Sequence, residues 1–440
     1  MLSAFGRVVK TADLRRKLLF TLAMIVLYRV GTFIPAPGVS YGNVQQCLNA
    51  NVTSGGVYDI VNLFSGGALL QLSIFALGVM PYITASIIIQ LLRVVIPRFQ
   101  ELHDEGAQGQ AKLTQYTRYL TIALALLNAT TIVSMARSGV LLGNCPGIIP
   151  QDDVLHILLI IVTLCAGTTV IMWMGEQINQ KGVGNGISII LFAGIVARLP
   201  VTMGQIWSYF SAAMQSPESY GKYFVFAPLF IILFLAVIWV IVFMNDSERR
   251  IPVQYAKKVV GRKVYGGQST FLPIKVTMSG VMPVIFASAI LSIPSTIRLF
   301  VGEPTGFWKG FFNAFSSTGW LYSVLYLLLI VVFAYFYMTI QYNPIEMANN
   351  LRTNNGTIPG IRPGRPTAEF ISKILSKITL IGAIFLAFVA ILPILYSNLT
   401  GMYGLSMGGT SVIIMVGVAL ETVKQIESQM MMRHYKGFLD

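Results

Sequence analysis

Charge is scarce in this sequence. Of its 440 residues only 11% are Asp, Glu, Lys or Arg, against about 25% in a soluble domain. The apolar fraction is 55% and the mean hydropathy is +0.70. A soluble chain of this length would divide into several domains, each needing a polar surface, and 17 acidic with 31 basic residues cannot cover them. Cysteine is scarce too. Cys47, Cys145 and Cys165 are too few and too scattered for a disulfide framework or a CxxC metal site, and read as free packed thiols. His103, His156 and His434 lie far apart and no HExxH occurs, so an intramembrane metalloprotease has no basis. Gly182-Val-Gly-Asn-Gly186 has no soluble strand before it and opens an apolar segment, so it is not a nucleotide loop. No catalytic residue, metal or cofactor is expected. The composition leaves a polytopic helical membrane protein.

A bilayer core of about 30 Å takes roughly 20 apolar residues per helix. Ten segments qualify, near 18–34, 72–96, 119–136, 154–174, 184–203, 223–244, 276–298, 319–341, 378–396 and 406–424. Of the 31 basic residues, only Arg29, Arg137, Arg198, Lys222, Arg298 and Lys309 fall outside the two tails and the even-numbered loops. The excess of Lys and Arg on cytoplasmic loops then puts both termini in the cytoplasm. The first apolar stretch is followed by Pro35-Ala-Pro37 rather than a small-residue cleavage site, so it is expected to stay as a helix. The basic tail before it, with Phe5, Val8 and Val9, suits a membrane surface.

An internal repeat is more specific than hydropathy. Gly78-Val-Met-Pro-Tyr-Ile-Thr-Ala-Ser86 and Gly280-Val-Met-Pro-Val-Ile-Phe-Ala-Ser288 agree at seven of nine positions. They sit in the second and seventh segments, the same place in two halves of five. An odd helix count per half makes the halves inverted in the membrane, with the functional path between them. The halves are 1–204 and 205–440. Gly and Pro in the matching segments suggest helices that bend or pack closely.

The 17 acidic residues fall in loops or at segment ends, and Lys and Arg avoid the segment centres. Ion-coupled transporters keep ionisable groups inside the bilayer, so their absence weighs against that class. An apolar constriction resists wetting yet can widen, which suits a conduit for something large and varied. An inverted-repeat secondary transporter for a small solute is the other reading of the same topology. Between the first two segments lies 35–71, without one Lys or Arg. Within it Tyr58, Ile60, Val61, Leu63 and Phe64 are apolar enough for a short helix, stopped by Gly66-Gly67. It is too short to span, and reads as a re-entrant helix, a plug or a surface turn.

Two cytoplasmic loops are unusually long. In 245–275, β-branched and aromatic residues flank a Gly-rich centre, which predicts strands at 250–256 and 269–275 around a basic tip. In 342–372, Asn343-Pro344 and Pro359-Gly-Ile-Arg-Pro-Gly364 stiffen and turn the chain. Arg249, Arg250, Lys257, Lys258, Arg262, Lys263, Arg362 and Arg365 give these loops a positive face, suited to an acidic partner or to RNA phosphates. Contact with anionic lipid is the simpler role for such charges, but connections are ordinarily far shorter.

Phe64-Ser-Gly-Gly-Ala68, Ser73-Ile-Phe-Ala-Leu-Gly78, Pro81-Tyr-Ile-Thr-Ala-Ser-Ile-Ile-Ile-Gln90, Gly184-Asn-Gly-Ile-Ser188, Ile251-Pro-Val-Gln-Tyr-Ala256, Pro344 with Met347-Ala-Asn-Asn-Leu351, Pro359-Gly-Ile-Arg-Pro-Gly364 and Gly408-Gly-Thr-Ser411 occur in this order. Through them the whole chain resembles the SecY family, the channel-forming subunit of the bacterial Sec translocase. The resemblance implies an all-α clamshell of ten transmembrane helices in two inverted halves, with a short plug helix and a small cytoplasmic β-hairpin. It implies a pore ring of Val79, Ile83, Ile187, Leu191, Met282 and Ile414, where Val79, Leu191 and Met282 depart from the family's isoleucines but keep apolar bulk. A lateral gate would involve Pro81, Thr84, Asn185 and Pro283, with residues 58–64 in the plug. The expected partners are SecE, SecG, the motor ATPase SecA, the ribosome with its rRNA, secretory and membrane nascent chains, and lipids. The expected location is the cytoplasmic membrane of a bacterium, and the chain is expected not to be an enzyme.

Overall fold

The computed structural model describes residues 11–50, 65–69, 71–137, 148–150, 153–215, 221–255, 258–260, 263–265, 269–277, 280–301, 310, 320–401 and 409–436. The chain divides into two compact units. The first is Met1–Ala227 with Ser397–Met407 and Ile414–Asp440, and the second is Pro228–Tyr396 with Gly408–Ile413.

A helix falls on each of the ten expected segments. Among the described residues seven are long and apolar enough to cross a membrane, and a pair bent by 100° makes an eighth. In the first unit α1 (Ala12–Phe33) opens on Asp13, Arg15, Arg16 and Lys17 and carries Arg29, which lowers its apolarity. It buries Met24, Tyr28, Gly31 and Thr32 while Leu22, Val26, Leu27 and Val30 stay exposed. Both faces are apolar because the outer one meets lipid rather than water. After α2 (Tyr41–Ala50) come α3 (Met80–Val95) and α4 (Pro97–Asp104), the bent pair, which break at Ile96 before Pro97. In α5 (Ala107–Arg137) the residues Gly109, Leu113, Thr117, Thr121, Ala125, Ala129 and Val133 are buried. They recur every fourth position, the ridge that packs one helix into the grooves of another. The Thr117 and Thr121 hydroxyls donate to carbonyls four residues back, at 2.9 and 2.7 Å, which keeps polar atoms satisfied in an apolar surrounding. There follow α6 (Val154–Lys181), α7 (Gly186–Val196) and α8 (Leu199–Gln215), and then α9 (Tyr223–Asp246), whose first turn belongs to this unit and whose remainder, from Pro228, belongs to the second.

The second expected segment, 72–96, is helical only from Met80. Residues 65–69 and 71–79 form successive turns. This non-helical, apolar stretch is packed inside the protein, where its backbone groups need partners. Ala68, Leu69, Leu72, Ser73, Ala76 and Val79 are each 1% exposed or less. Their backbone groups pair with one another and with the end of α1: Ser73 N donates to Ala68 O at 3.1 Å, and Ile74 N to Ile34 O at 3.0 Å. Gly31 of α1 lies against the Phe75 ring and Gly167 of α6 against the Ile74 carbonyl, so a methyl group at either would collide with this segment.

The repeated Gly-Val-Met-Pro therefore does not bend a helix, as the sequence suggests. It starts one. Gly78 has φ +57°, α3 begins two residues later at Met80, and Pro81 takes a first-turn position where its missing N–H costs nothing. In the second unit Gly280 has φ +56° and α10 (Met282–Val301) begins two residues later.

That unit also holds α11 (Trp320–Gln341), α12 (Pro344–Thr353) and much of α13 (Arg365–Thr400), while α14 (Gly409–Lys436) begins in it. Phe286 of α10 meets Phe333 and Tyr337 of α11, with ring centroids 5.5 and 6.5 Å apart. Its loops build one small sheet. β1 (Glu248–Tyr255) pairs antiparallel with β4 (Ser269–Lys275), Ile251 opposite Leu272, close to the predicted strands. On its other edge β1 pairs with β5 (Gly356–Thr357), which comes from the second long loop. The sequence reading foresaw the hairpin and missed this third strand. Within the basic tip between them β2 (Lys258–Val260) and β3 (Lys263–Tyr265) form a hairpin of their own.

Candidate functional site

Five residues of the expected ring belong to the first unit, and all are buried: Val79, Ile83, Ile187, Leu191 and Ile414. Val79 and Ile83 follow one another by a helical turn, Ile83 N donating to Val79 O at 3.1 Å. Ile187 and Leu191 hold the same spacing on α7. Met282, half-buried, opens α10 in the second unit.

The start of α7 is built tightly. Asn185 caps it, its Oδ1 accepting from Ile187 N at 3.2 Å and Ser188 N at 3.4 Å, and Asn179 Oδ1 accepts from Gly186 N at 2.7 Å. Gly186 lies against the Gly175 carbonyl of α6, so a side chain there would force the helices apart. Asn185 thus positions Ile187 by ending the preceding loop. Thr84 uses its hydroxyl within α3, donating to Met80 O at 3.0 Å. Pro81 and Pro283 are buried in the first turns of α3 and α10. Residues Tyr58, Ile60, Val61, Leu63 and Phe64, expected in a plug, lie outside the described residues.

The residues of the two long basic loops separate by environment. Ile251, Val253, Ile274, Ile358, Ile371 and Leu375 form a core under the sheet, with Tyr342 packed on it. Burial pushes the Tyr342 phenol above its ordinary range. Arg249, Arg250, Arg362 and Arg365 stand exposed around this core. Arg250 Nε pairs with Glu248 at 2.7 Å and Arg365 Nε with Glu369 at 3.3 Å. Among the described residues Arg249 and Arg362 have no ion pair. Arg362 sits between Gly360 and Gly364, at φ +82° and +101°, and its carbonyl accepts from the buried Thr367 hydroxyl at 2.8 Å. That loop conformation needs glycine, and it holds Arg362 outward. Lys258 and Lys263 belong to the tip hairpin, while Lys257 and Arg262 lie outside the described residues.

Two features escaped the sequence reading. Arg118 on α5 and Glu176 on α6 form a two-pronged ion pair, Nε to Oε1 at 2.8 Å and Nη2 to Oε2 at 2.7 Å. A lone acid and a lone base, 58 positions apart at two segment ends, gave no sign that they meet. Arg29 was read only as a topology signal, yet its Nη1 donates to Gly66 O at 3.0 Å. Its place inside an apolar segment was the available clue.

These features define a multi-pass helical membrane protein with two matched helix starts and a structured basic sheet built from its two long loops. The SecY family profile matches residues 73–423. The protein translocase subunit SecY of Streptomyces scabiei is 48% identical over 445 residues, covering all of both chains. A solved structure described as a protein conducting channel aligns with TM-score 0.64 at 18% identity, over 94% of this chain and 92% of that one. Sec61 in the canine ribosome-channel complex from the endoplasmic reticulum aligns with TM-score 0.62 at 18% identity, with the same shares covered. The chain belongs to the SecY family.

Proposed function

We propose that this chain is the pore subunit of a Sec translocase in the cytoplasmic membrane of a bacterium. It conducts unfolded secretory polypeptides outward and releases apolar segments sideways into lipid. The observation that carries this reading is full-length identity of 48% to a protein translocase subunit SecY. The paired helix starts at Gly78 and Gly280 agree with it, since they give both halves of an inverted repeat the same local device. The organisation is two halves, 1–204 and 205–440, with both termini cytoplasmic, as the distribution of Lys and Arg favours.

On this reading Val79, Ile83, Ile187, Leu191, Met282 and Ile414 seal the resting path by resisting wetting. Pro81, Thr84, Asn185 and Pro283 belong to the lateral gate, and Tyr58, Ile60, Val61, Leu63 and Phe64 to the plug. Arg249, Arg250, Lys257, Lys258, Arg262, Lys263, Arg362 and Arg365 dock the ribosome, through its RNA phosphates, or the motor SecA. SecE and SecG complete the complex. The chain acts as a conduit and no catalytic step is assigned to it.

Site-specific crosslinking tests the reading. A photoreactive residue replaces Ile83 or Ile187, and a stalled secretory chain is offered in membranes. A crosslink to that chain, absent with a cytosolic control chain, is the expected result. No crosslink at either position, in protein assembled with SecE, overturns it.

A further inference from the structure

A short connection, Gly182–Asn185, joins α6 to α7, and the ring residues Ile187 and Leu191 follow directly. Where this connection sits decides where α7 starts. Its α6 side is fixed by the contacts of Asn179 and Gly186 given above. Its other side is gripped by the first and last helices of the chain. Val183 is 1% exposed and packs with Leu14 of α1 and Ile426 of α14, with Leu18 and Met430 around them. The Val183 N–H lies past the end of α6 and is buried, so it needs a partner from another element. Thr21 of α1 supplies one. Its Oγ1 accepts from Val183 N at 3.2 Å, across 162 positions of sequence, and donates to Lys17 O at 2.9 Å. Thr117 and Thr121 of α5 use their hydroxyls on their own helix, whereas Thr21 also holds a distant backbone group. The fit is close. A Cβ at Gly182 would lie 2.6 Å from Thr21 Oγ1, and one at Gly184, where φ is +83°, would lie 3.2 Å from Thr422 Oγ1 on α14. Packing of this density passes a displacement on rather than absorbing it.

We propose that Thr21 is a positioning residue for the pore ring. With Leu14 and Ile426 it seats Val183, so that the first and last helices of the chain set where α7 begins and where Ile187 and Leu191 stand. This rests on the reading of Ile187 and Leu191 as ring residues. The hydroxyl of Thr21, rather than its bulk, makes the seat.

The test is resting conductance of the full chain, reconstituted with its partner subunits in planar bilayers without substrate. Thr21→Val keeps the shape and removes the acceptor. Loss of this buried hydrogen bond gives it about a tenfold higher open fraction. Thr21→Ser keeps the hydroxyl and holds most of the seal, which an effect of bulk alone would not allow. Equal leak in the two overturns the proposal. Ile187→Asn and Ile371→Asn are measured beside them, the first in the ring and the second in the other compact unit. A silent Thr21→Val beside a leaking Ile187→Asn overturns the seat and leaves the channel reading standing. Silence in both overturns the two together. Leak in Ile371→Asn as well marks general loosening and also overturns the seat. If Thr21→Val does not assemble, Ile426→Ala decides, because it loosens the same seat from α14: leak supports the seat and unchanged conductance overturns it.

Discussion

Gly78 and Gly280 share one backbone state. Their φ angles are +57° and +56°, and each N–H donates three residues back, to Phe75 O at 2.9 Å and to Thr277 O at 3.1 Å. The correspondence continues into the helices, where Ile83 N donates to Val79 O and Ile285 N to Val281 O, at 3.1 and 3.3 Å. A nine-residue repeat in the sequence is therefore a repeated helix start, made by a left-handed glycine and a proline in the first turn.

This predicts the effect of a methyl group. At Gly280 an added Cβ meets nothing within 4 Å, so Gly280→Ala carries backbone strain alone. The cost is about 1–2 kcal/mol. A thermal melt of the purified complex shows it as a lowered midpoint, and Gly280→Asn, which tolerates positive φ better, melts between the two. An unchanged midpoint in Gly280→Ala would mean that α10 can begin elsewhere.

The Arg118–Glu176 pair predicts an asymmetry between substitutions. Glu176 is the less exposed partner, with 17% of its side chain open against 43% for Arg118. Both prongs need a planar fork, so Arg118→Lys keeps charge but loses one bond and the geometry. It is expected to destabilise by about 1 kcal/mol, and Glu176→Gln by about 1–2 kcal/mol because the arginine is left unneutralised. Exchanging the two residues recovers part of the loss, which a double-mutant cycle on the melting midpoint measures.

How much of this could be read beforehand follows from what each signal depends on. The spans were legible because a bilayer demands long apolar runs wherever they occur. Helix α5 shows what such runs hide: its buried stripe from Gly109 to Val133 falls every fourth residue, but lipid makes the opposite face apolar as well. The boundary at Met80 was hidden for a related reason. Residues 71–79 are as apolar as a helix, and only Gly78 hints that the backbone turns first. Strands β1 and β4 were legible from β-branched residues around glycines. β5 was not, because two residues, one of them Gly356, are too short a run to signal a strand, and they pair only where tertiary structure brings them to Tyr255 and Gln254.

The second long loop allows a comparison between two nearby arginines. Arg362 is held outward by a loop whose ends are Gly360 and Gly364 and whose centre is fastened by Thr367. Arg365 already faces Glu369 one helical turn away. Arg362→Glu is therefore expected to cut secretion strongly while membrane assembly stays normal, and Arg365→Glu to cut it less. Export of a reporter precursor, read beside the amount of assembled complex, distinguishes them. Equal secretion in Arg362→Glu and the unaltered protein removes Arg362 from the docking surface.

The apolar seal predicts leak without loss of structure. Ile83 and Ile187 are 7% and 9% exposed; Ile83 lies one turn after Val79, the cap of α3, and Ile187 one turn before Leu191 on α7. An amide at such a position recruits water into a constriction that conducts only when wet. Ile83→Asn and Ile187→Asn are expected to raise resting ion conductance several-fold in planar bilayers, and the pair together more than either alone. Ile371→Asn is the matching control. Ile371 is 0% exposed in the core under the small β-sheet, so its replacement lowers the melting midpoint and leaves conductance unchanged. Leak in all three would point to general loosening of the protein, and leak in the ring variants alone locates the seal at Ile83 and Ile187.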